Sequence, residues 1–219
     1  MGHCMNLHLK IESTKFLLLL LLADFAFMLV HGFYKMHLVS NILFSIERDF
    51  GYAEVYQYIK EYWIVVLLFI LAIKRGRIIY FAWTSLFMYF LFDDSLRIHE
   101  RFGHYLVNHL GFQPMFQLRA QDFGELGVSM FFGFLLFTFI GVSYLFSDNI
   151  AKQVSKHLFI LVMILAFFGI VVDMIHSVIP WQKSIWGLIE DGGEMLIMSI
   201  IVWYVFNLRT DPENLVSIK

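Results

Sequence analysis

The stretch FLLLLLLADFAFMLVHGF at positions 16–33 decides the fold class. Leu17–Leu22 run into an apolar segment that continues past Asp24 to Phe33, close to the roughly twenty residues a helix needs to cross about 30 Å of hydrocarbon. Lys10 and Lys15 precede it, as in a secretory signal. However, Ala23-Asp24-Phe25-Ala26 is no small-x-small cleavage site, and the apolar run does not stop there, so the segment reads as an uncleaved span.

The rest of the chain agrees. Of 219 residues, 59% are apolar, 18% aromatic and only 16% charged, with 25 Phe, 11 Met and 3 Pro; mean hydropathy is +0.71. A soluble domain carries about 25% charged residues. Transmembrane barrels alternate apolar and polar residues along short strands, and these continuous runs do not. One cysteine (Cys4) and a net charge of −2 exclude a disulfide scaffold and give no basis for nucleic-acid binding.

The pattern predicts an all-α membrane bundle, a single domain over 1–219, with six spans at about 16–33, 54–74, 78–93, 125–146, 157–179 and 185–207. The tight turn Lys74-Arg75-Gly76-Arg77 is strongly basic. Lys10, Lys15, Lys152, Lys156 and Arg209 fall on the same side, which places both termini in the cytoplasm. Cys4 is then a free thiol in a reducing compartment.

With that topology the ionisable residues gather at the opposite ends of their helices. Asp93, Asp94, His99, Glu100 and His104 follow the third span, and Glu125 opens the fourth. Asp173 and His176 close the fifth, and Glu190, Asp191 and Glu194 begin the sixth. His31 lies at a similar depth and Asp24 deeper. Charge within a span costs about 2.5–3.5 kcal/mol per residue on insertion scales, so such groups turn inward to partners. Arg97, Arg101 and Lys183 are too few to neutralise them. Interhelical ion pairs explain any one acid; a bound cation explains the group.

Spacing refines the expectation. Asp173 and His176 are three apart and share a helix face, as do Glu190 and Glu194 at four. If the third helix continues beyond the membrane, Asp93, Glu100 and His104 form one stripe. The expected metal ligands are Asp173, His176, Glu194, Glu100, His104 and Asp93, a mixed set suited to zinc, iron or manganese. Asp93 and His104 would stand about 16 Å apart on a continuous helix. Either the helix breaks near Gly103, or there are two sites, or one residue only orients a ligand. Asp94, His99, Asp191 and His31 are orienting candidates, and Glu190 and Glu125 are candidates for moving protons. His99-Glu100-Arg101-Phe102-Gly103-His104 is not a zincin motif, because its second His comes one residue late. The 34–60 connection, acidic and aromatic, reads as an interfacial segment or a lid.

Glu47-Arg48-Asp49, Asp-Asp-x4-His-Glu at 93–100 and Glu-Asp-Gly-Gly-Glu-Met at 190–195 resemble a group of uncharacterised bacterial inner-membrane proteins. That likeness implies a bacterial plasma membrane and a shared acidic and His site, with no activity to carry over. The membrane hydrolases that include alkaline ceramidases and progestin-type receptors, which hold zinc with His and Asp inside helices, are similar in chemistry only, since this chain has six expected spans and no H-x-x-x-H pair.

Three function classes follow. One is a metal-dependent membrane enzyme, a hydrolase or oxidoreductase acting on a lipid-like substrate. The second is a cation or metal transporter with Asp24 as its deep relay. The third is a non-catalytic sensor or assembly subunit whose polar cluster only fixes packing. Membrane lipid is the expected surrounding partner, and oligomeric state is not encoded in these patterns.

Overall fold

The computed structural model describes residues 2–114, 118–178 and 183–208, with the side chains of 2–11, 177 and 183 set aside. Ile179 at the end of the fifth expected span, Arg209 and the Lys183 side chain lie outside that description. The described elements are helical, with no strand among them: α1 (Gly2–Lys35), α2 (Tyr52–Arg75), α3 (Ile78–Leu96), α4 (Ile98–Leu110), α5 (Ala120–Leu145), α6 (Asn149–Ala166), α7 (Asp173–Val178) and α8 (Lys183–Leu208). A π-helical turn, Phe167–Val172, joins α6 to α7 without a break in the chain's helical path.

Four of these segments are long and apolar enough to cross a membrane: Glu12–Lys35, Tyr52–Arg75, Ala120–Leu145 and Asn149–His176. They turn large apolar side chains outward, with Leu18, Leu19 and Leu22 on α1, Phe131 and Phe134 on α5, and Phe159, Ile160 and Met163 on α6. In lipid that exposure is neutral, because hydrocarbon solvates leucine as well as a protein core does. The interior belongs to α2, α3 and α8. Ile64 and Leu68, Trp83 and Phe87, and Ile201 and Val202 are fully buried and pack in one cluster.

Packing between such helices rests on close van der Waals fit and a few polar clips. Trp83 Nε1 donates to Ser155 Oγ at 2.9 Å, joining α3 to α6. Trp203 Nε1 donates to Ser13 Oγ at 2.8 Å, joining α8 to α1. His157 Nδ1 lies 3.0 Å from the Tyr204 hydroxyl, which joins α6 to α8. At the basic turn, Gly76 takes the left-handed conformation (φ 59°) that ends α2, its N–H returning to the Ala72 carbonyl. Arg77 then pairs with Asp148 at 2.8 Å, fixing the start of α6.

The strongest clip is charged. Asp24 of α1 and Lys60 of α2 are both fully buried and 3.0 Å apart. The Lys60 ammonium also donates to the Met195 carbonyl at 2.8 Å and to Ser199 Oγ at 3.4 Å on α8. Ser199 Oγ in turn donates to Asp24 Oδ2 at 2.5 Å. Three helices meet at one ammonium. Asp24, expected as a deep relay, is neutralised by a lysine that sequence alone placed at the membrane edge.

The third helix does not run on as one piece to His104, which corrects the expected stripe. α3 ends at Leu96, Arg97 adopts a left-handed conformation (φ 53°), and α4 starts afresh at Ile98. Asp93 causes much of this: its carboxylate accepts the His99 N–H at 2.8 Å, satisfying an amide that a new helix start leaves free. The break therefore falls at Arg97, six residues before Gly103. Gly103 has another task, allowing α4 to cross α5 at Gly124, where a Cβ on either residue would strike the other helix's backbone.

Removing one member of the buried pair tests the hub. Lys60→Met leaves Asp24 uncompensated and should cost about 3–5 kcal/mol. The double change with Asp24→Leu, which removes both charges, should restore most of that loss. Unfolding titrations in mixed micelles read both values. Equal stability of the single and double variants would mean that the pair does not anchor the bundle.

Candidate functional site

The ends of α2, α3, α5, α6–α7 and α8 that lie away from the basic turn enclose a cavity of about 1380 Å³. Its upper wall is charged and its floor apolar, with Phe137, Val162, Leu165 and Ile170 among the floor residues. Among the described residues, twelve acids line it, against three arginines and three histidines. Eleven of the twelve predicted site residues lie on its wall. Asp93, Asp94, His99, Glu100 and His104 come from α3 and α4, and Glu125 from α5. Asp173 and His176 come from α7, and Glu190, Asp191 and Glu194 from α8.

His31 does not join them. It is buried beneath the loop between α1 and α2. Its Nδ1 accepts the Ile46 N–H at 3.1 Å and sits 3.3 Å from Ser45 Oγ, while Nε2 points toward Glu47 at 3.8 Å. The acceptor role of Nδ1 puts any ring proton of a neutral His31 on Nε2. His31 thus anchors a loop whose Glu47 reaches the cavity and pairs with Lys35 at 2.6 Å. The connection is shorter than expected, because α1 reaches Lys35 and α2 begins at Tyr52.

The acids are sorted into partnerships. On the α7–α8 side, His176 Nδ1 lies 2.7 Å from Glu190 Oε2, and Asp173 stands close to Glu190. Asp173 and His176 do share a face, yet the imidazole's partner is across the helix pair. Glu194, one turn deeper, rests its carboxylate against Gly169 in the π-helical turn, where a Cβ would overlap it. Extra-residue turns of this kind are frequent at functional sites because they re-aim the helix around them.

On the α3–α4 side, His99 Nδ1 is 3.1 Å from Asp93 Oδ2, and Glu100 makes a two-pronged ion pair with Arg97. Arg97 also meets Asp49 at 3.3 Å. Gln121 donates from Nε2 to the Glu100 carbonyl and to Glu125 Oε1, each at 2.9 Å, which fixes Glu125. His104 lines the cavity but remains exposed. Among the described residues, no three His, Cys, Asp or Glu side chains are grouped so that they could hold a metal ion. The expected six ligands therefore form no single closed sphere: Asp93 and Glu100 face His99 and Arg97, and His176 faces Glu190.

Sequence reading missed Glu61 of α2. It is fully buried, it lines the same cavity, and both its carboxylate oxygens lack a hydrogen-bond partner.

A family comparison covers most of this architecture. Residues 14–210 match the family described as a domain of unknown function, DUF8692. The chain belongs to the DUF8692 family. Its matched region takes in every cavity-lining residue named above. Comparison with curated proteins and with solved structures finds no match.

His99 gives the site a pH signature. Burial works to lower its pKa, but the hydrogen bond and charge of Asp93, with Glu125 and Asp94 behind it, outweigh burial and push it up to about 8. A histidine raised above its usual value of about 6.5 stabilises the fold fully below that pH, and the contribution is lost as pH rises through about 8. Thermal unfolding between pH 6 and 9 should show this decline in the native protein and a flatter profile in His99→Gln. Parallel profiles would mean that the Asp93–His99 pair carries no proton-linked stability.

Proposed function

We propose that this is a six-span integral membrane protein of a bacterial inner membrane, with both termini cytoplasmic. In this reading its acid-lined chamber holds a divalent transition cation, zinc, iron or manganese, and serves chemistry on a lipid-like substrate reached from the non-cytoplasmic side. One observation carries the reading: the chamber's charge. Among the described residues, twelve acids face three arginines and three histidines, so even with every imidazole protonated these positive groups number half the negative ones. Concentrating that many carboxylates away from bulk water calls for a cation.

The residues that would hold it are His176 and Glu190, 2.7 Å apart, with Asp173 beside them and Glu194 one turn below. The group would have to close around the ion, because no three of these donors now stand near enough together to hold it. Their imidazole and carboxylate donors are the chemistry such metals take. The cation would supply Lewis acidity at the chamber wall. In this reading Glu125, hydrogen-bonded by Gln121 on the opposite wall, moves a proton. The apolar floor beneath the charges suits an acyl chain whose polar head stays among them. In the six-span reading α3 and α8 are the two further spans, both of which contribute fully buried residues to the core beside α2. Transport is the weaker reading, because Asp24 is closed off by Lys60 and offers no onward step.

Elemental analysis of purified protein, chelated and then reconstituted with zinc, iron or manganese, tests the proposal. The native chain should retain one of these metals stoichiometrically. His176→Ala and Asp173→Asn should each weaken retention at least by the ~10–100-fold that follows loss of an orienting group alone. A native chain that retains none of the three overturns the reading.

A further inference from the structure

We propose a second, all-oxygen cation site on the α2–α3 wall of the chamber, built around Glu61 and selective for a hard divalent cation of the calcium, magnesium or manganese class. It shares the chamber with the reading above but none of its ligands.

Glu61 is fully buried, and neither of its carboxylate oxygens has a hydrogen-bond partner. Its sequence neighbour Lys60 cannot serve it. An ammonium has three donors, and Lys60 directs them at Asp24, the Met195 carbonyl and Ser199 Oγ. Across from Glu61 stands Asp94 of α3, within hydrogen-bonding reach, with Glu194 of α8 adding further negative charge. Two ionised carboxylates have only acceptors to offer each other, so this pair needs either a shared proton or a metal cation between them, and the orphaned neutral oxygens beside it favour the cation.

The same wall presents two more orphaned oxygens. Gln57 lies one turn before Glu61 on α2, and its buried Oε1 has no partner. Tyr89, one turn before Asp93 on α3, has a buried hydroxyl that is likewise unpartnered. Gln57, Glu61, Tyr89 and Asp94 all line the one cavity. A buried polar atom without a partner costs about 1–3 kcal/mol, more when charged, and here three side chains carry that cost on one wall. Two carboxylates with neutral carbonyl and hydroxyl oxygens, and no nitrogen or sulfur, make the donor set that hard cations take. Asp94 is further fixed from behind, its backbone carbonyl accepting the Tyr58 hydroxyl at 3.2 Å.

The experiment uses the full-length protein in detergent after chelation. Manganese binding is followed by the loss of its free-ion paramagnetic resonance signal, competed with calcium and magnesium, and zinc binding is measured in parallel. The native chain should bind manganese in competition with calcium or magnesium. Glu61→Gln should weaken the calcium-competed part of that binding at least tenfold, and Gln57→Leu and Tyr89→Phe should weaken it severalfold, while zinc binding is unchanged in all three. Should Glu61→Gln fail to fold, the Gln57 and Tyr89 variants decide. Unchanged manganese binding in the folded variants overturns the inference, as does a native chain that binds zinc but no hard cation; the proposed function survives that second result. Hard-cation binding without retention of zinc, iron or manganese at the His176 cluster upholds this inference and sinks the proposed function instead.

Discussion

One ammonium group holds the centre of this protein. Lys60 is placed where α1, α2 and α8 converge, and every one of its hydrogens meets an oxygen from another helix. Within a membrane an unpaired charge at that position would be prohibitive, so the three helices are bound to one relative depth and rotation. The consequence appears one residue later. With Lys60 committed to the packing side of α2, Glu61 is rotated about 100° onward and faces the chamber without a counter-charge. The same constraint that closes the bundle at Asp24 leaves the cavity above it acidic.

The chamber depends on local devices that bring the other helices to it. The left-handed Arg97 swings α4 away from the line of α3 and onto α5, where Gly103 and Gly124 let the backbones touch. The π-helical turn at Phe167–Val172 presents Gly169 to Glu194, so the α8 carboxylate lies against α6–α7 without a steric barrier. Each device leaves the apolar floor intact while re-aiming a charged end. The result is a space divided by depth, with carboxylates and imidazoles above and Phe137, Val162 and Leu165 below.

Much of this was legible in sequence, and the missing parts have physical causes. Apolar runs report helices directly because a bilayer admits few alternatives, and intramembrane acids report a shared interior because they cannot face lipid. Those two rules located α1, α2, α5 and α6 and pointed to eight of the twelve acids on the cavity wall; Glu47, Asp49, Glu61 and Asp122 were not among the expected site residues, and the expected His31 lies elsewhere. They could not pair Asp24 with Lys60: the two are 36 residues apart on different helices, and a lysine at the head of an amphipathic stretch looks interfacial. Glu61 was hidden by the same appearance. The break at Arg97 carries neither glycine nor proline to announce it, and its cause, the Asp93 cap on His99, is a contact across the turn. The π-helical turn likewise has no signature beyond Gly169.

The proposed function requires the acids to line a water-accessible chamber open on the side away from the termini. Cysteine labelling tests it most directly, because Cys4 is the chain's single cysteine and Cys4→Ser gives a clean background. Ser129 lies on the chamber wall, whereas Phe134 projects outward from the same helix at 78% exposure. In intact cells or oriented vesicles, Ser129→Cys should react with a membrane-impermeant maleimide from the non-cytoplasmic side, and Phe134→Cys, facing lipid, should stay unlabelled. An unreactive Ser129→Cys, or one labelled only from the cytoplasmic side, would contradict the account.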